Sequence, residues 1–132
     1  LNFAGVATNT EAVFRGVLPE AASLGSGLKV TIWFCAATST DNTKKVRWGA
    51  QFADLSDQDL DSFAYDTAVE ADTTIDATNG KLSSVTLTIT TIDSLTAQKP
   101  YALKVYRDAS DTTNDTLDEN AQLLGVEVWS AA

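Results

Sequence analysis

The chain has 132 residues, of which 18 are acidic and 9 basic, giving a formal net charge of −9, and it contains no histidine. That length holds one domain with a single core, and the 44% hydrophobic and 8% aromatic shares belong to a globular chain rather than a disordered one. The charge repels nucleic-acid phosphates and anionic bilayers, so neither nucleic acid nor membrane is expected as a partner. The lack of histidine removes serine–histidine catalysis and histidine-ligated metals.

Cys35 is the only cysteine, which excludes an internal disulfide and a cysteine-based zinc cage. It alternates with the apolar residues of its stretch and reads as a small, partly buried filler. No apolar run approaches the roughly 20 residues that span a bilayer, and no charged-then-apolar leader opens the chain. The chain begins at Leu1 and has no methionine, so its start is either a processed end or a boundary set when the chain was produced.

In chain order, residues 1–6 are apolar and extended, an arm or edge strand carrying Leu1 and Phe3, and residues 7–10 are a polar break. Residues 12–17 form a short strand that ends at Leu18-Pro19, because proline removes a ladder donor and fixes its own backbone. Residues 20–27 are a loop whose glycines mark the turn into the central stretch. There Leu28, Val30, Ile32, Phe34 and Ala36 recur every second residue, and Val46, Trp48, Ala50 and Phe52 do the same. The polar connection 38–44 is too short for a crossover helix, so these two strands either pair antiparallel or face each other across a sandwich.

Strand periodicity stops over residues 53–62, where acidic residues crowd in a helical turn or irregular loop, and resumes over residues 63–69. A polar stretch, 72–80, ends in Asn79-Gly80, a pair that tolerates positive φ in turns. In the strand 84–92, Val85, Leu87 and Ile89 face the core while Thr86, Thr88 and Thr90 face water. Residues 92–95 hold a turn before Lys99-Pro100, and 101–107 form a strand with Tyr101, Leu103 and Val105 on one face. Residues 108–120 are a long polar loop, and the last strand, 122–129, is expected to turn Leu124, Val126 and Val128 inward and Glu127 outward. The pattern predicts an all-β chain: an antiparallel β-sandwich of about seven or eight strands, jelly-roll-like or Greek-key in winding. Residues 1–10 are the arm or edge strand and 11–132 the single sandwich domain.

The inventory for chemistry is thin, and no catalytic residue is expected. Asp54, Asp57, Asp59 and Asp61 lack an interleaved aromatic platform and read as a solvated acidic loop rather than a glycosidase pair. Asp57, Asp59 and Asp61 have the alternate-acid spacing of half an EF-hand loop, but Ser62 stands where glycine is needed and no glutamate closes it. Asp108, Asp111, Asn114, Asp115 and Asp118 are a second candidate calcium cage; otherwise no cofactor or metal is expected. Arg107 and Asp115 are expected to form a structural ion pair closing the base of their loop. Trp48 alternates with core residues. Trp33 and Trp129 lie opposite core residues and are candidates for subunit contact or sugar stacking, with Leu1 and Phe3 as further candidate interface residues.

Several segments occur together in a recognisable order: Gly16 to Pro19 before Gly27 to Trp33, then Val46 to Gly49, then Lys104 to Asp111, leading through Asp115 to Leu117 and Leu123 to Val126. In order and spacing these resemble a small β-sandwich domain found in virion structural proteins of tailed double-stranded DNA bacteriophages, over about residues 13–129. The resemblance implies a non-enzymatic particle component, most directly a capsid decoration or cement protein bridging subunits of the major capsid protein on the outer capsid surface. A tail-fibre or host-contact domain is the alternative within that class, and a carbohydrate-binding module the alternative outside it. It also implies a homotrimer. An extended segment 1–10 would suit an arm adding to a neighbour's sheet edge.

Overall fold

Period-two apolar residues can bury one face of a pleated strand and leave the other wet, and the alternating stretches fold accordingly. The computed structural model describes residues 1–5 and 10–131. Its strands are β1 (Asn2–Phe3), β2 (Thr10–Val17), β3 (Leu28–Ala36), β4 (Lys45–Asp54), β5 (Val69–Thr74), β6 (Ser83–Ile89), β7 (Pro100–Arg107) and β8 (Ala121–Ser130), with no helix among the described residues.

Two antiparallel four-stranded sheets pack face to face, ordered β1-β8-β3-β6 and β2-β7-β4-β5. Because β1 pairs with β8, β2 with β7, β3 with β6 and β4 with β5, the chain is wound as one long hairpin of four strand pairs rolled into two layers. That is the jelly-roll winding of a β-sandwich. The central strands β3 and β4 lie in different sheets, so of the two arrangements open to them they take the one that faces across the core.

Between the layers lie Val30, Ile32 and Phe34 of β3, Val46, Trp48, Ala50 and Phe52 of β4, Leu87 and Ile89 of β6, and Leu103 and Val105 of β7, all at most 2% exposed. Trp48 is central: its ring meets Phe3 edge-on at 5.0 Å between centroids and Phe34 at 5.3 Å, geometries that favour aromatic pairs beyond their buried area. Gly27 enters β3 at φ +82, and a Cβ there would lie 2.2 Å from the Ile89 carbonyl oxygen. Only glycine meets both demands without displacing β6.

Three expectations are corrected. The strand expected over residues 63–69 lies instead at Val69–Thr74. β5 is an edge strand held by charged partners on β4, Asp72 by Arg47 opposite it and by Lys45, and Glu70 by Arg47, so apolar alternation does not announce it. Residues 63–68 fold over the outside of the sheet. Phe63 and Tyr65 stack edge-on at 5.2 Å, with Lys104 Nζ 4.9 Å from the Tyr65 centroid.

Leu124, expected inward, is 69% exposed. The β3–β8 register slips between Trp33 and Phe34, which pair with Gly125 and Leu123, so Leu124 is the extra residue of a β-bulge. Leu123 takes the inward place before it, and Val126 and Val128 follow.

Phe3 is the third. Asn2 and Phe3 form an edge strand, one of the two expected readings of the segment, pairing with Gln122 and Ala121 of β8, and Phe3 is 1% exposed. Phe3 is therefore a core residue, not an interface residue, because its ring completes the stack on Trp48. Of the segment 1–10, residues 6–9 lie outside the described residues.

Candidate binding face

The two outward faces of the sandwich differ in chemistry. On β2-β7-β4-β5 most charges are paired: Arg47 reaches Glu70 at 3.1 Å, Asp111 at 3.3 Å and Asp72 at 3.7 Å, Lys45 reaches Asp72 at 3.0 Å, and Lys104 reaches Glu11 at 3.8 Å, while Arg15 lies over the Phe63 ring. Tyr106 donates to Glu70 at 2.6 Å. Burial, and then the Glu70 carboxylate that accepts its proton, push the Tyr106 phenol well above its usual range. Each of these partners is already engaged.

On β1-β8-β3-β6 the outward positions are Lys29, Thr31, Trp33 and Cys35 of β3, Gln122, Gly125, Glu127 and Trp129 of β8, and Ser84, Thr86 and Thr88 of β6. Trp33 and Trp129 are 39% and 38% exposed. Trp129 pairs with Lys29, four positions from Trp33 on the same face, so the two indoles are spaced about 13 Å along the strands. Between them Thr31, although outward, is only 5% exposed, its hydroxyl 2.7 Å from that of Thr86. Trp33 stands opposite Gly125, where an added Cβ would meet nothing within 4 Å. An open step therefore lies beside the Trp33 ring.

Toward the bulge the same face becomes apolar. Leu1, Leu82 and Leu124, exposed by 75%, 42% and 69%, border a shallow depression of about 510 Å³ that also touches Cys35 and Gln122. The Cys35 thiol lies 3.5 Å from Gln122 Oε1 as donor. Sheet faces covered by solvent alone seldom gather this many large apolar side chains, and such patches mark interaction surfaces.

The fold thus brings Trp33 and Trp129 onto one face, leaves Leu1 at its border opposite Leu123 where it lines the depression, and removes Phe3 from it. Leu82 and Leu124 are further residues of that face. Leu124 could have been found from the doublet Leu123-Leu124 followed by Gly125, which breaks the alternation as a bulge does.

Arg107 and Asp115 sit away from this face. Arg107 is fully buried, with Nε donating to Asp115 Oδ2 at 2.8 Å and Nη2 to Asp115 Oδ1 at 2.6 Å. The remaining guanidinium hydrogens go to the carbonyls of Glu119 at 2.6 Å, Phe3 at 3.2 Å and Leu117. Asp115 also accepts from the Arg47 N–H at 3.1 Å. A single bidentate pair therefore ties the 108–120 loop, β4 and the opening strand together.

The acids of the second calcium candidate are drawn into such contacts. Asp111 accepts from Asn114 Nδ2 at 2.8 Å and faces Arg47, and Asp115 is held by Arg107. No group of three or more acidic or cysteine side chains is arranged to hold a metal among the described residues. No helix is long and apolar enough to cross a membrane. In comparisons with known proteins, the chain matches no family model and no curated protein.

Proposed function

We propose that this chain is a non-enzymatic structural protein of a tailed-phage virion, a decoration protein that docks on the outer surface of the capsid through the β1-β8-β3-β6 face. The observation that carries the reading is the difference between the two sheets: one has most of its charges mutually paired and exposes Val13 and Val17 only along its β2 edge, whereas the other presents Trp33, Leu82, Leu124 and Trp129 to solvent with Leu1 at its border. Tryptophan anchors beside an apolar patch are the composition of a protein interface centre. The jelly-roll winding recurs in viral capsid proteins, which supports the reading by analogy only. The net charge of −9 suits an exterior position better than contact with packaged DNA.

Co-sedimentation of the purified chain with capsids of the phage that carries its gene tests the reading. Binding should saturate, and Trp33→Ala with Trp129→Ala should weaken it at least tenfold while changing stability by about 1 kcal/mol or less, as for partly exposed positions. Wild-type protein that fails to bind the capsid would remove the decoration role.

One feature favours a second reading. Two indoles on one sheet face, with the hydroxyls of Thr86 and Thr88 beside them, form a surface on which sugar rings could stack. Titration of tryptophan fluorescence with soluble glycans separates the two, since a sugar-binding face would quench or shift on binding and a capsid-docking face would not respond.

A further inference from the structure

β2 ends its sheet, and its ladder to β7 runs unbroken from Thr10↔Arg107 to Val17↔Pro100. Which of its backbone groups look outward follows from the neighbouring bonds. The Pro100 carbonyl accepts from Leu55 and the Asp108 N–H donates to Arg47, so the even-numbered residues of β7 turn toward β4. The odd ones, Tyr101 to Arg107, must turn toward β2, where they meet Gly16, Phe14, Ala12 and Thr10. Leu18 agrees, donating to the Lys99 carbonyl at 3.1 Å. Glu11, Val13, Arg15 and Val17 therefore present their N–H and C=O groups to the open side.

This edge lacks most of the features that discourage pairing: it is eight residues long and regular, with neither proline nor lysine in it, and its two charges, Glu11 and Arg15, are of opposite sign. Val13 at its centre is 47% exposed. The sequence of the edge is also self-complementary about that centre. In an antiparallel pairing with itself centred on Val13, Glu11 stands opposite Arg15 and Arg15 opposite Glu11, while inward the small Ala12 stands opposite the large Phe14.

We infer that two copies of this chain associate through β2, antiparallel and centred on Val13, joining the two β2-β7-β4-β5 sheets into one continuous sheet. The contact is isologous, as a two-fold axis requires. The pairs Glu11–Arg15, Val13–Val13 and Arg15–Glu11 are then the hydrogen-bonded ones, each exchanging two backbone bonds, and each outward charge meets its opposite across the strands. Because the two-fold axis of an antiparallel pair stands perpendicular to the sheet, both copies turn their Trp33 and Trp129 faces to the same side. The inference stands on β2 alone and holds whatever that face binds.

Light scattering of the full chain over a wide range of concentration reads the association directly. A mass of two chains is expected at high concentration, or a whole multiple of it. Val13→Pro removes only an N–H that points away from β7 and should halve that mass. Glu11→Arg should do the same by setting Arg against Arg15 of the second copy, and adding Arg15→Glu should restore the pair, although Glu11 also faces Lys104 and Arg15 lies 6.0 Å from the Phe63 ring centroid. A monomer at every concentration overturns the inference, as does a dimer or trimer whose mass Val13→Pro and Glu11→Arg both leave unchanged.

Discussion

Arg107 Nη1 donates to the carbonyl of Phe3 at 3.2 Å, 104 positions away in sequence. The same guanidinium holds Asp115 with two bonds and closes on Glu119 and Leu117, so one buried side chain fastens the first strand and the 108–120 loop to β7.

Removing that side chain leaves the buried Asp115 carboxylate with only the Arg47 N–H as donor and takes a donor from the carbonyls of Phe3, Leu117 and Glu119. Arg107→Ala should cost about 3–5 kcal/mol, the range for breaking a buried pair from one side. Arg107→Lys should recover only part of it, because an ammonium cannot reproduce the planar fork. Urea unfolding of the three proteins checks this, and an alanine variant within 1 kcal/mol of wild type, on the order of an exposed pair, would show that the pair adds nothing.

Phe3 is bonded into the same corner and fills the core against Trp48. Phe3→Ala should lower stability by about 3–5 kcal/mol, as expected for a buried aromatic, whereas Leu1→Ala, at a position 75% exposed, should stay within about 0.5 kcal/mol. Equal costs at the two positions would mean that the opening strand is not part of the core.

Trp48 Nε1 is buried with no hydrogen-bond partner among the described residues. An unsatisfied buried donor costs about 1–3 kcal/mol, so Trp48→Phe discards a penalty while keeping an aromatic ring against Phe3 and Phe34. It should be far milder than Trp48→Ala, which opens a cavity and costs about 3–5 kcal/mol. Denaturant midpoints of the two variants decide it; similar losses would show that indole volume outweighs the orphan donor.

Acid should destabilise the fold through its loop carboxylates. The Asn114 side chain holds Asp111 below its ordinary 3.8, and the backbone N–H groups of Thr67 and Asp93 do the same for Asp66. Burial alone would raise Glu119, but hydrogen bonds from Thr38 and Ser39 outweigh it and lower it. A carboxylate lowered by folding contributes stability that is complete above its unfolded value and lost as pH falls through the folded one. The melting temperature should therefore be flat above about pH 5 and fall progressively below pH 4, in line with unperturbed carboxylate values. A melting temperature that rises on acidification through that window would contradict the sign.

Much of this architecture was legible because its strands are amphipathic. Alternation located β3, β4, β6, β7 and β8 to within a few residues and, outside the β8 bulge, showed which side of each faces the core, and with it the outward placing of Trp33 and Trp129. β5 escaped because its partners are charges: Glu70 and Asp72 answer Arg47 and Lys45 on a strand that period-two hydrophobicity cannot reveal. Leu124 escaped because a bulge breaks the period within one strand, and Phe3 because two residues of strand carry no period at all. The binding face was legible only in part for the same reason, since its leucines gather from the first strand, the loop before β6 and the bulge of β8. No spacing in the sequence connects those three places.

The docking face is most directly tested at Gly125. Its position has open space for a side chain and an ordinary backbone φ, so Gly125→Arg should leave the fold and melting temperature intact while planting a long charged group beside Trp33. On the proposed function, binding of this variant to capsids of the phage that would carry the gene, measured beside wild type as copies bound per particle, is the decisive comparison. Saturable binding by wild type and its loss in Gly125→Arg at unchanged stability is the predicted result. Full occupancy by the variant would contradict docking through the β1-β8-β3-β6 face.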